Sequence, residues 1–232
     1  MPSHKPQKFA YIWLVGLSLL LGVHASHADA VVPPDELLKQ VANKMISDLN
    51  TKRVDLKGDP AKVQALVEEN LLPSVDIINS SKLVLGKYWR TASKAQKIGF
   101  IKEFRTLLLR FYSSALAEYL NNNSEPLDIN MIEFLPIHLE AGRDEITVRS
   151  VVKPKKGEPV PVNYHMHLTS KGWKVYDVSV EGVSVITTYK TSFANEIRQQ
   201  GLDSLIASLV ERNAKLLANN DHDNPFKSKK AQ

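Results

Sequence analysis

Val160–Pro161–Val162–Asn163–Tyr164–His165–Met166–His167–Leu168–Thr169 alternates apolar and polar side chains from end to end. A period of two is the signature of a strand with one buried and one solvated face. Upstream, Ile146, Val148 and Val152 alternate with Thr147 and Arg149, and Gly157 and Pro159 mark the hairpin connection between the two runs. Downstream, Ser170–Lys171–Gly172 is a turn and Trp173 to Val185 an irregular fourth strand. Ile129 to Leu135 supplies a first strand. Short strands joined by turns predict an antiparallel meander with one apolar face.

On both sides of this block the period changes to that of a helix. Pro34, Asp35 and Glu36 suit a first turn, with acids at the positive end of the dipole. Leu37, Leu38, Val41, Met45 and Leu49 follow at helical spacing. A second helix runs from about Ala61 to Leu71, before Pro73. Pro73 to Ile78 is irregular, and a helix is expected over Ser81 to Trp89. Ser93 opens the longest periodic segment, through Ile98, Ile101, Phe104, Leu108, Phe111, Ala115 and Tyr119 to the Asn121–Asn122–Asn123 run. After the strands, Tyr189, Phe193 and Ile197 restore the helical period. Leu202, Leu205, Ile206, Leu209, Val210 and Leu216 form a last helix. The expected class is α+β: a four-stranded antiparallel sheet with helices before and after it.

The ends carry different information. Lys5 and Lys8 precede an apolar run from Phe9 to Gly22, and small residues follow at Ala25, Ser26, Ala28 and Ala30. Basic, then apolar, then small is the order of a secretory signal peptide. The run is shorter than the roughly 20 residues of a spanning helix. The expected domains are a signal over 1–28, cleaved after Ala28, a globular domain over 29–219, and a polar, disordered tail over 220–232. In a double-membraned bacterium the product resides in the periplasm.

Composition narrows the chemistry. With no Cys among 232 residues, disulfide scaffolds, Cys-ligated metals and thiol nucleophiles are excluded. Loss of Lys5 and Lys8 lowers the formal charge from +5 to +3, too weak and dispersed for a nucleic-acid footprint. His165 and His167 share one side of a strand, but no carboxylate at a supporting spacing completes a metal site. Asp221–His222–Asp223 is a ligand-like trio in the tail. Ser184 lacks the Gly two positions later that a nucleophile elbow needs, so a Ser184/His165/Asp177 triad rests on residue types alone. Asp177 interrupts the alternation of the fourth strand. Either a bulge turns it outward, or it is a buried acceptor for backbone donors. Trp89 and Trp173 suit packing or wall positions. The expectation is no catalytic set and no metal site. What stands out is apolar surface, either a closed core or a dry tunnel for an apolar ligand.

Two blocks resemble the MlaC family, periplasmic phospholipid-binding proteins of the maintenance-of-lipid-asymmetry pathway, also called toluene-tolerance auxiliary proteins. The first is Leu72–Pro73–Ser74–Val75–Asp76 followed by Leu83–Val84–Leu85–Gly86–Lys87–Tyr88–Trp89–Arg90. The second is Trp173–Lys174–Val175–Tyr176–Asp177–Val178–Ser179–Val180–Glu181–Gly182–Val183–Ser184, continued by Tyr189, Phe193, Gly201 and Leu205. The similarity runs from about Asp35 to Asn213 and is weakest over Pro126 to Gly142. It implies a monomeric carrier without cofactor, whose cargo is a diacyl phospholipid enclosed between sheet and helices. Its implied partners are an outer-membrane lipoprotein–porin complex and an inner-membrane ABC transporter complex with its substrate-binding ring. Under that reading the sheet wall is drawn from Val148, Val152, Val162, Tyr164, Met166, Leu168, Trp173 and Val175. The helix wall is drawn from Phe100, Phe104, Leu108, Phe111 and Tyr112. A charge at Met166 or Val148 is then expected to expel cargo and spare the fold. The alternatives are an exported serine hydrolase using Ser184 and an interaction module with a filled core.

Overall fold

A computed structural model of the chain describes residues 31–155 and 157–218. The signal segment 1–28, the Asp221–His222–Asp223 trio and the tail 220–232 lie outside the described residues.

Helix α1 (Pro34–Thr51) opens with Pro in its first turn and Asp35 and Glu36 at its positive end. A short turn of helix, α2 (Arg53–Leu56), leads to α3 (Pro60–Leu71), where the Asp59 carboxylate accepts from the Lys62 N–H. A 3-10 turn over Leu72–Ser74 precedes α4 (Ile77–Leu85), whose N-cap Asp76 accepts from the Asn79 N–H at 2.9 Å. The helix expected over Ser81 to Trp89 is two helices. Gly86 adopts φ 53° and ψ −118°, which ends α4 and starts α5 (Lys87–Thr91). A residue with a Cβ does not readily take that conformation.

The 29-residue α6 (Lys94–Asn122) is the longest element among the described residues, about 43 Å at 1.5 Å per residue. A reciprocal capping box fixes its start: Gln96 N–H donates to Ser93 Oγ, and Ser93 N–H to Gln96 Oε1.

The sheet has five strands, in the order β1 (Ile132–Phe134), β2 (Glu145–Val152), β3 (Val160–Thr169), β4 (Gly172–Val180) and β5 (Val183–Ser184). All neighbours are antiparallel. The fourth strand expected from Trp173 to Val185 therefore divides. Glu181 and Gly182 have φ of 50° and 80°, and two positive φ values make the tight hairpin turn that returns the chain as β5. The first strand is shorter than expected, because Asp128 caps a 3-10 turn over Ile129–Met131. The last helices are α7 (Val185–Gln200) and α8 (Leu202–Ala218). Helix α7 begins ahead of the expected Thr188 because Ser184 caps it.

Among the described residues, the buried apolar side chains form three clusters rather than one. Phe100, Phe104, Tyr189, Phe193, Leu205 and their neighbours join α4, α6, α7 and α8. The Phe100 and Phe104 rings stack at 5.5 Å, and Phe193 meets both edge-on. Leu49, Leu56, Val63, Leu66, Val67, Leu109 and Leu120 join the first three helices to α6. Leu38 of α1 covers Val148, Met166, Trp173 and Val175 on the sheet.

Candidate functional site

The three clusters do not merge. Where they approach one another they leave a cavity of about 350 Å³, toward the small end of the roughly 300–1,000 Å³ typical of ligand pockets. The helical side of its wall comes from Val67 and Leu71 of α3, Ile77 and Ser80 of α4, and Phe104, Leu108, Leu109 and Tyr112 of α6. The floor is the sheet, through Val162, Tyr164, Val175, Val178 and Val180. Val185 and Ile186 close one side. Each cluster contributes: Phe104 from the first, Leu109 from the second, Val175 from the third.

A bulge makes that floor continuous. His165 pairs with Asp177, but Met166 pairs with Val175, so Tyr176 is an extra residue on β4. Strict alternation from Trp173 and Val175 would have brought Asp177 and Ser179 to the apolar face. The inserted residue shifts the phase, and Val178 and Val180 take those places opposite Tyr164 and Val162. Asp177 is at once bulge-associated and an acceptor. Its Oδ1 accepts from the Ile186 N–H at 3.1 Å, and its Oδ2 from Ser184 Oγ at 2.6 Å. It thereby ties the first turn of α7 to β4.

Polar groups in the wall are mostly engaged. Arg105 pairs with Glu68. Ser80 Oγ donates to the Tyr176 carbonyl at 2.7 Å. Tyr112 keeps 39% of its surface accessible. It also lines the cavity, and burial of the phenol among neighbouring protein groups, with a smaller effect from the Asp177 charge, pushes its pKa up to about 12. Burial also raises Tyr164.

Of the expected wall residues, Phe104, Leu108, Tyr112, Val162, Tyr164 and Val175 meet in the cavity. The others stand elsewhere. Phe100 is fully buried in the helical cluster against Phe193. Phe111 lies a further 100° around α6, with its ring edge to Tyr112. Val148, Met166 and Trp173 are sealed under Leu38. Val152 ends β2 opposite Val160 and Ile132. Leu168 is exposed beside Leu139 and Val31 in a separate depression. The sheet's apolar face is long enough for two coverings: α1 takes one half and the cavity the other. Sequence reasoning missed Val67, Leu71, Ile77, Val178, Val180, Val185 and Ile186. Val67 and Leu71 sit on a helix from which no wall residue was drawn, Ile77 falls in the segment read as irregular, and Val178 and Val180 are hidden by the phase change at Tyr176.

The polar sheet face organises its histidines separately. His167 Nε2 lies 2.9 Å from Asp76 Oδ2, and His165 Nδ1 lies 3.1 Å from Thr147 Oγ1. Ser184 Oγ accepts the Thr187 N–H at 2.9 Å while donating to Asp177. Its hydroxyl is occupied as a helix cap, and no hydrogen bond among the described residues links it to His165. No cluster of three or more His, Asp or Glu suited to a metal ion occurs among the described residues. No helix of the described residues is long and apolar enough to cross a membrane.

Comparisons with known proteins converge on this geometry. The sequence profile of one family, described as MlaC protein, matches residues 39–211. A Haemophilus influenzae protein named intermembrane phospholipid transport system binding protein MlaC is 27% identical over 188 residues, 79% of this chain and 84% of that protein. The toluene tolerance protein ttg2D of Pseudomonas putida is 27% identical over 189 residues, 81% of this chain and 84% of that protein. A phospholipid-binding protein from Ralstonia solanacearum, solved in complex with a phospholipid, superposes with a TM-score of 0.68 at 28% identity, over 78% of this chain and 97% of that one.

Proposed function

The chain belongs to the MlaC protein family, and from that premise we propose that it is a periplasmic carrier that holds a diacyl phospholipid in the cavity between sheet and helices. The observation that carries the reading is the cavity itself, an apolar hollow between three core clusters with only Arg105 and Asp177 as charged wall residues, each of them partnered. Acyl chains lie among Leu108, Tyr112, Val162, Val178 and Val180, and the headgroup stays in water. The chain crosses to the periplasm on its first 28 residues, is cleaved after Ala28, and works as a monomer without cofactor. It exchanges lipid with an outer-membrane lipoprotein–porin complex and an inner-membrane ABC transporter complex with its substrate-binding ring. It performs no catalysis.

The energetics suit a carrier. Two acyl chains of about 30 methylenes are worth roughly 24 kcal/mol gross against water at about 0.8 kcal/mol each, beyond the usual ceiling for noncovalent affinity. The relevant reference state is a bilayer or another apolar tunnel. Exchange between two oily environments is nearly neutral, so direction comes from the partner complexes.

Solvent extraction and mass spectrometry of gently purified protein test the cargo. Phospholipid near stoichiometric amounts is expected, and a lipid-free spectrum overturns the reading. Transfer of that lipid from loaded protein to membranes containing the transporter complex tests the route, and retention on the protein argues against it.

A further inference from the structure

The charged surface is unevenly neutralised. Among the described residues, 11 of the 24 lysines and arginines have a carboxylate within ion-pair distance, as in Lys39 with Asp35, Lys44 with Asp48, Lys153 with Glu133 and Lys215 with Glu211. One region differs. From Ile77 to Lys102 the chain contains no Asp or Glu. Lys82, Lys87, Arg90, Lys94 and Lys97 lie on α4, α5 and the first turn of α6, and the stem of Lys190 from α7 rests on the backbone of Gly86 between them. Among the described residues, none of these six has a carboxylate within ion-pair distance. Two acids reach the edges of the region: Asp203 accepts from Gln96 Nε2 at 3.0 Å, and Asp76 caps α4 through the Asn79 N–H at 2.9 Å.

The same elements expose apolar surface. Ile78 and Ile98 are each 58% exposed and Leu83 37%. Two half-buried aromatic rings lie among the cations, with Lys87 Nζ 5.2 Å from the Tyr88 ring centre and Lys97 Nζ 5.5 Å from that of Trp89. Unpaired cations interleaved with exposed aliphatics and with Tyr and Trp match an anionic bilayer in both respects. Lysines and arginines meet the lipid headgroups, and the aromatic rings suit the interfacial layer. What favours a bilayer over an acidic protein is the Tyr and Trp held beside lysines, an arrangement suited to the interfacial layer.

We propose that the face formed by α4, α5 and the start of α6 docks directly on the surface of a bilayer containing anionic phospholipid. Helix α4 is shared between this face and the cavity: Ile77 and Ser80 line the cavity, while Ile78 and Lys82 point outward. Docking therefore sets the cavity wall one helix thickness from the headgroups. The inference rests on the charge pattern and the apolar and aromatic side chains of this face, and stands whatever the cavity holds.

The test is flotation of the full processed protein with vesicles. One set is phosphatidylcholine alone, and in the other half of the lipid is phosphatidylglycerol. Binding is expected only to the second set, and is expected to fall as salt shortens the Debye length from about 10 Å at 0.1 M to about 3 Å at 1 M. The pair Lys87→Glu and Lys94→Glu should weaken it at least about 25-fold, at about 1 kcal/mol or fivefold per cation. Lys215→Glu, which alters a lysine already paired, should change it little. The milder pair Lys87→Gln and Lys94→Gln serves if the reversal variant melts early. Co-purified lipid, measured on the same variants, should be unchanged, which separates a failure here from a failure of the cargo reading. Equal binding to both vesicle types, no binding at low salt, or undiminished binding of the variants overturns the proposal.

Discussion

At the residue scale, Ser184 shows how a hydroxyl suggestive of catalysis can be consumed by structure. It donates to Asp177, caps α7 through the Thr187 N–H, and lies at the end of a two-residue strand. Ser184→Ala is expected to cost about 1 kcal/mol through loss of the cap, read as a lower urea midpoint with unchanged slope, and Ser184→Thr should recover most of it. Loss of an ester-hydrolysing activity in the alanine variant, with no change in stability, would contradict that role. Tyr112 gives a second residue-level outcome. A phenol pKa of about 12 in the folded protein exceeds the value of about 10 in the unfolded chain. The folded state therefore holds its proton more tightly. Its contribution to stability is complete below pH 10 and disappears as pH rises toward 12. Wild type should thus lose stability more steeply than Tyr112→Phe across that window in pH-dependent urea melts, and parallel curves would show the phenol to be solvated. Little of this residue detail was legible beforehand. The sequence shows that Asp177 breaks the alternation, but that it serves both a bulge and a helix start depends on the Ile186 N–H, an atom of a different element.

At the element scale, periodicity revealed the long helix, the three principal strands and the final pair of helices. Its errors came at joints, where a single backbone conformation outweighs the pattern of side chains. Residues 81–89 read as one helix because Gly86 is a single small residue in an apolar series, and nothing in its identity announces φ 53° and ψ −118°. Likewise Trp173 to Val185 read as one strand because Glu181 is an unusual occupant of a positive-φ turn position. Gly86→Ala tests the first joint. A Cβ there must adopt a sparsely populated conformation costing about 1–3 kcal/mol, and it would stand 3.2 Å from Lys190 Cε. A destabilisation of that size is expected in denaturant unfolding. Adding Lys190→Ala should relieve only the steric part, since the dihedral cost remains. Full rescue by the second substitution would mean that the backbone at this joint is not strained. The β4 bulge had a visible signal in the misplaced Asp177, yet its main consequence, moving Val178 and Val180 into the floor, follows only once the register is known.

At the scale of the whole molecule, the sequence supplied the apolar surface but not its partition between core and cavity. That partition depends on which half of the sheet α1 covers, and α1 lies more than a hundred residues from the strands it packs on. The result is two classes of apolar position that look alike in the sequence and should respond oppositely to charge. Met166 is fully buried with Val148 and Trp173 under Leu38. Met166→Asp removes a packed side chain, worth about 2–5 kcal/mol, and adds the desolvation of a carboxylate. Against a total stability of about 5–15 kcal/mol, it should unfold much of the protein and not merely empty it, contrary to the expectation that followed from the family resemblance. Leu108 is half-buried in the cavity wall. Leu108→Asp places its charge where water can enter once the acyl chains leave, so the fold should survive and co-purified lipid should fall at least tenfold. Leu108→Trp should also lower the lipid content, by filling the hollow, while holding or raising the melting temperature. Circular dichroism with lipid mass spectrometry on the three variants distinguishes the two classes. If Leu108→Asp keeps its lipid while folded, the hollow between the clusters is not where the chains lie.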